Sequence, residues 1–304
     1  MWSCGLPSRP LPHQVKRIVG GRSAEPGFFP WQVLLSVEDL SRVPEDRWFG
    51  SGALLSKSWI LTAAHVLRSQ RRDATVVPVV PLRDKQTSAG RSVDQIVLHP
   101  NFQPDNYNND IALLRLSEAA EFNWLVRPVC LPPDRPSSLL PNSLGLVAGW
   151  GISNASSTPS PLTSDLLQYV KLPVVPQDEC QASYASRSVR YNITDNMFCA
   201  GFFQGGRDTC LGDSGGAFVM QAGRRWAVFG LVSWAGPEDC GSQRVYGVYT
   251  RVEKYLDWIQ SRASRANKTF KKSSFDLTIS ILQLKKCKQK MLQPQEMEEN
   301  RKYK

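Results

Sequence analysis

The run "CLGDSGGAF", from Cys210 to Phe218, sets Ser214 between an aspartate and a pair of glycines. A serine hydroxyl attacks an electrophile only when a neighbouring base removes its proton, and histidine is the side chain suited to this near neutral pH. The chain holds three histidines, His13, His65 and His99, and all of them precede Ser214. His13 lies in a proline-rich stretch and His99 stands before Pro100 in a loop, so both read as surface or structural residues. His65, in "LTAAHV" (61–66), is the candidate base, and "NNDIALLRL" (108–116) supplies Asp110, a carboxylate able to hold an imidazole in one tautomer. Any one of these is an ordinary polar residue. The ordered set His65, Asp110, Ser214 is a pattern for nucleophilic attack on a carbonyl.

The elements that must bring them together are short and β-like. They are "WQVLLSV" (31–37), "GALLSKSWILTAA" (52–64), "DQIVLH" (94–99), "IALLRL" (111–116), "LGLVAGWG" (144–151), "LQYVKLPVV" (167–175), "RWAVFGLVSW" (225–234) and "VYGVYTRV" (245–252). Clusters of Gly, Pro, Asn, Asp and Ser separate them, a spacing that predicts barrels or a sandwich rather than alternating βα units. One helix is signed over 251–262: Thr250 and Glu253 form a capping-box pattern, and Val252, Tyr255, Leu256 and Ile259 follow at helical spacing.

Composition narrows the function classes. With 304 residues, 41% apolar and 21% charged, the chain has the balance of a globular protein with a sizeable core. The net charge of +10 is concentrated at one end: residues 264–304 carry 11 Lys/Arg and 4 Asp/Glu, leaving about +3 for the rest. That tail, with Cys287, reads as a basic, disordered extension, and no aromatic stacking platform or nucleic-acid motif accompanies it. No apolar run reaches the length of a membrane span. The start "MWSCGLPSRPLPHQVK" lacks the apolar core of a secretory leader. Seven cysteines, at 4, 130, 180, 199, 210, 240 and 287, show no C-x-x-C spacing, so neither a metal nor a cofactor is expected. Six of them can make three bridges. With sequons at Asn154, Asn192 and Asn267 they indicate a secreted, glycosylated protein, reconciled with the missing leader if the chain is part of a longer precursor.

Two catalytic patterns compete for Ser214. "GDSGG" formally fits G-x-S-x-G, the nucleophile elbow of α/β-hydrolases, but that fold places its histidine after the serine, and none follows here. The order His…Asp…Ser resembles instead the chymotrypsin-like (S1) serine endopeptidases. "RIVGG" (17–21), "TAAH", "DIALL", "GWG" (149–151), "GDSGG" and "VSW" (232–234) occur in that family's order across residues 16–261. The resemblance implies an all-β fold of two packed antiparallel β-barrels, six-stranded in type, with a C-terminal helix. It divides the chain into a linker and activation segment at 1–17, a protease domain at 18–263 and the extension at 264–304.

It also implies roles. His65 takes the proton of Ser214, Asp110 steadies the imidazolium, and the N–H groups of Gly212 and Ser214 form the oxyanion hole. Cleavage between Arg17 and Ile18 frees an amine that pairs with Asp213, so the uncut chain is a zymogen. Asp208, six residues before the nucleophile, sits at the pocket base and selects Arg or Lys. Gly247 keeps the far wall open, while Ala235, where relatives usually carry glycine, narrows the mouth. The implied disulfides are Cys4–Cys130, Cys180–Cys199 and Cys210–Cys240.

Ser51 and Val66 stand where most relatives carry the two cysteines of the histidine loop, a joint loss that resembles complement-type proteases. The implied setting is extracellular, with a protein substrate (another protease's zymogen), plasma protease inhibitors as partners, and lectin-type recognition molecules reached only through N-terminal modules that this chain lacks. No nucleic-acid or membrane partner is implied. Against the family pattern, the segment 74–93 is short and carries Pro78 and Pro81, which predicts an N-terminal barrel one strand short. A relative with that defect and Ala235 has an alternative reading, a catalytically impaired binding or decoy module.

Overall fold

The apolar runs form antiparallel strand pairs in the computed structural model, which describes residues 3–11, 22–39, 46–67, 75–79, 91–133, 139–151, 164, 166–185, 192–205, 209, 212–235, 243 and 245–263. The chain divides into two units, Met1–Leu256 and Asp257–Lys304, and both sheets lie within the first. One sheet has the order β5 (Thr75–Val79), β2 (Gln32–Asp39), β3 (Asp46–Leu54), β4 (Trp59–Thr62), β7 (Ala112–Leu116), β6 (Val93–Leu98). The other runs β1 (Arg22–Ser23), β9 (Gln168–Pro173), β8 (Leu144–Gly149), β11 (Ala217–Ala222), β12 (Arg225–Trp234), β13 (Gly247–Arg251), β10 (Met197–Ala200). These are the two sheets of a trypsin-like double β-barrel.

Position in the sheet explains the sequence of each strand. β12 lies between two neighbours and is buried over Ala227–Ser233 without alternation, as a strand covered on both faces must be. β6 is an edge strand, and Asp94, Gln95 and Ile96 at its middle are exposed. Leu35, Ile60, Leu61, Leu113 and Leu114 fill the core of the first sheet. The second is centred on Phe198, Phe218 and Tyr249, whose ring centroids lie 5.1–5.3 Å apart.

Two expectations change. The first barrel is not a strand short: β5 occupies 75–79 and pairs with β2 from Leu34↔Val79 to Glu38↔Thr75. Pro78 lacks an N–H, which bars it from a central strand but not from an edge, and β5 is an edge. Among the described residues, β5 and β6 stand at the two ends of the strand order and no ladder joins them. The second change concerns the C-terminal helix. It begins as a 3-10 turn, Val252–Tyr255, and continues as α-helix through 263, but Arg251 occupies the N-cap position and no side chain caps it. Thr250 belongs to β13, and its hydroxyl donates to the backbone carbonyl of Asp110 at 2.7 Å.

A second helix, α1 (Gln177–Ala185), buries Cys180 and Tyr184, and the disulfide Cys180–Cys199 ties it to β10. The N-terminal segment is fastened as well. Cys4 is bonded to Cys130, Gly5 donates its N–H to the Pro128 carbonyl and accepts that of Trp226, and Leu11 is buried.

Candidate active site

Strand register assembles the first half of the site. β4 and β7 pair antiparallel with Thr62 opposite Ala112, so the exit of one strand lies beside the entry of the other. His65 comes three residues after Thr62, in the 3-10 turn Ala64–Leu67, and Asp110 comes two residues before Ala112. The two side chains therefore meet. The Asp110 carboxylate accepts the backbone N–H of His65 on Oδ1 at 2.8 Å and the imidazole Nδ1–H on Oδ2 at 2.7 Å. A carboxylate only accepts, so Nδ1 carries the proton and Nε2 is left with a lone pair. Such an imidazole is a base.

Asp110 is fully buried, and a buried carboxylate needs several donors. The second sheet supplies the remaining one: Ser233, on β12, donates its hydroxyl to Oδ2. With Thr250 of β13 bonded to the Asp110 carbonyl, the aspartate is held from both sheets at once. Burial, and then the Asp110 charge, push the hydroxyl of nearby Tyr255 well above the usual tyrosine range, so it stays neutral and donates to Asn109 Oδ1 at 3.0 Å. The loop entering this corner is strained. Tyr107 and Asn109 have φ of 58° and 57°, in the left-handed region that side chains disfavour. The Tyr107 ring stands edge-on to His65 at 5.6 Å and stacks on Trp234 at 6.2 Å, walling the imidazole on one side.

The turn of Gly212, Asp213 and Ser214 docks on the same sheet through β3, and on β12 of the other. The N–H of Ser51, on β3, donates to the Ser214 carbonyl at 2.7 Å. Gly215 has φ of +80°, and a Cβ there would lie 2.2 Å from Thr62 Oγ1 and 3.1 Å from the nitrogen of Ala63, two residues before His65. Only glycine permits that approach. Gly215 N–H then donates to Val232 and Val232 N–H to Gly216, which stitches the turn to β12. The Asp213 carboxylate points at the "GWG" segment, where Oδ1 accepts the N–H of Gly151 at 2.8 Å. A Cβ on Gly149 or Gly151 would overlap that carboxylate, which accounts for both glycines.

Of the remaining candidates, Gly247 opens β13 opposite Ala200, Ala235 is half-buried just after β12, and Asn192 is exposed. His99 lies off the site, its ring edge-on to Tyr255 at 5.2 Å. Asp208, Cys210, Cys240, Arg17, Ile18, Asn154, Asn267, His13 and Cys287 lie outside the described residues. Sequence reasoning missed the parts played by Ser233 and Thr250. Each is a hydroxyl in a buried stretch of strand, and such a group requires a partner.

Comparison with known proteins agrees with this geometry. Residues 18–259 match the family described as Trypsin. Coagulation factor IX of Cavia porcellus is 36% identical over 246 residues, 80% of this chain and 80% of the relative. Ovochymase of Halocynthia roretzi is 34% identical over 282 residues, 86% of this chain and 16% of the relative, and clotting factor C of Tachypleus tridentatus is 34% identical over 264 residues, 80% and 25%. The chain thus spans only a small part of these last two. A fold of two antiparallel sheets, a histidine held by a buried aspartate at their junction and a family match over 18–259 lead to one assignment: the chain belongs to the trypsin family of serine proteases.

Proposed function

We propose that this protease domain is an endopeptidase zymogen that hydrolyses peptide bonds after Arg or Lys once cut between Arg17 and Ile18. Ser214 Oγ attacks the carbonyl carbon while His65 Nε2 takes its proton. The proton passes to the leaving amine, and water, activated by the same imidazole, releases the acyl group from Ser214. Asp110 holds the tautomer and stabilises the imidazolium, and the N–H groups of Gly212 and Ser214 receive the oxyanion. The observation that carries this reading is the His65 Nδ1–Asp110 Oδ2 hydrogen bond of 2.7 Å, made at the edge of the sheet whose Ser51, on β3, also receives the Ser214 turn.

Further features support the finer statements. Asp208, six residues before Ser214, is suited to a cationic side chain, with Gly247 as the open wall. The freed amine of Ile18 would pair with the Asp213 carboxylate. Because Ala235 adds a methyl where relatives have glycine, Ala235→Gly is expected to raise kcat/KM on an arginyl peptide about fivefold, as relief of about 1 kcal/mol of overpacking does. The absence of the histidine-loop cysteine pair, at Ser51 and Val66, and stretches such as "FGSGALLSKSWILTAAHVLRSQRRD" and "DNMFCAG" resemble the isoform-3 type of mannan-binding-lectin-associated serine protease. The fitting role is extracellular activation of another protease zymogen in complement. The names of two relatives, a coagulation factor and a clotting factor, are in keeping with an extracellular setting.

Fluorophosphonate labelling before and after cleavage at Arg17 tests the reading. Labelling of Ser214 only in the cleaved protein is expected, and Arg17→Gln is expected to stay unlabelled after protease treatment. A cleaved protein that never labels would leave the decoy reading, which Ala235 favours.

A further inference from the structure

The side chain of Ser51 is fully buried, and its hydroxyl donates to the carbonyl of Gly212 at 3.2 Å. The same residue's backbone N–H donates to the carbonyl of Ser214 at 2.7 Å. Between these two, the Asp213 carbonyl accepts the N–H of Gly216 at 2.8 Å. Three consecutive carbonyls of the nucleophile turn are therefore all engaged, two of them by one residue of the opposite sheet. In a trans peptide the N–H points away from the C=O of its own plane. Engaging the Asp213 carbonyl thus aims the Ser214 N–H outward, and engaging the carbonyls of Gly212 and Ser214 fixes the backbone on either side of it. Gly212, with φ of +98° and no side chain, has the freest backbone of the three and the most to gain from a tether. Ser51 is itself pinned, since its carbonyl accepts the Thr62 hydroxyl at 2.8 Å.

We propose that Ser51 is a positioning residue for the oxyanion donors: its hydroxyl, present where the resemblance implies half of a disulfide, orients Gly212 across the junction of the sheets. This rests on Ser214 being the nucleophile. The effect belongs to the transition state, because the donors must meet an oxygen that becomes charged only there. Losing a whole oxyanion donor costs about 10²–10³ in kcat, so losing the tether of one should cost less, about tenfold.

The test uses the full chain cleaved at Arg17. Ser51→Ala is expected to lower kcat on an arginyl peptide about tenfold with KM unchanged. It should weaken a peptidyl-arginine aldehyde, whose hemiacetal oxygen occupies the hole, by a similar factor, and leave benzamidine affinity as it was. Wild-type kcat in Ser51→Ala, or an equal loss of benzamidine and aldehyde affinity, overturns the proposal. If that variant does not fold, Ser51→Cys carries the test, with a weak donor of similar shape: an intermediate kcat and unchanged benzamidine binding are expected, and full wild-type kcat and aldehyde affinity overturn it. Absence of Ser214 labelling in the cleaved wild type is the distinct failure of the underlying reading.

Discussion

The two sheets contribute to the site by different means. Around the second, Cys4–Cys130 and Cys180–Cys199 add cross-links, and Phe198, Phe218 and Tyr249 form a tight aromatic centre. Among the described residues the first contains no disulfide and no β5–β6 ladder, and it carries Ser51 and Val66 where the resemblance implies a disulfide. Yet the first sheet holds the histidine. It does so through the β4–β7 register and through a buried carboxylate with every contact satisfied, two devices that need no covalent bond. Cross-links stabilise the half that carries the Ser214 turn, while hydrogen bonds set the half that carries His65.

The largest break is at the joint between them. On the proposed mechanism, Asp110→Asn would remove the charge that stabilises the imidazolium and allow the wrong tautomer, so kcat on an arginyl peptide is expected to fall about 10⁴-fold. In the second sheet, Phe218→Ala opens the aromatic centre and is expected to cost about 3–5 kcal/mol in a denaturant melt. The comparison is sharpened by giving the first sheet what it lacks. Ser51→Cys with Val66→Cys, once oxidised, closes a loop worth about 3 kcal/mol, read as a rise in Tm that reductant abolishes. The smallest effect is expected from Tyr246→Phe. Burial, then the hydrogen bond to Glu179, raise the Tyr246 hydroxyl above its usual range. Its contribution is therefore complete below the unfolded tyrosine value of about 10 and is lost as pH climbs above it. The variant should show a shallower decline in stability in alkaline melts.

The His65–Asp110 pair and the Ser214 turn were legible in the sequence because they sit at strand ends. "TAAH", "DIALL" and "GDSGG" each follow or precede an apolar run, and two of those runs pair side by side. Less visible were elements whose composition argues against them. Pro78 sits in β5, which is allowed only because the strand is an edge, a fact of topology rather than of local sequence. Thr250 fitted a helix cap by spacing, but the hydroxyl found a buried carbonyl across the sheet junction and the helix began without it. Ser233 and Ser51 are unremarkable as letters. Their importance arises from contacts to residues 123 and 161 positions away, which no window along the chain can contain.

The fastening of the N-terminal segment bears on what activation would leave behind. Cys4 is covalently joined to Cys130, and Gly5 is woven into the backbone beside Trp226, so a nick after Arg17 would sever the chain without releasing the leading piece. The processed molecule would travel as two polypeptides under one bond, indistinguishable in size from its precursor until a reducing agent parts them. The piece that carries Cys4 would stay tethered to the protease domain through that bond.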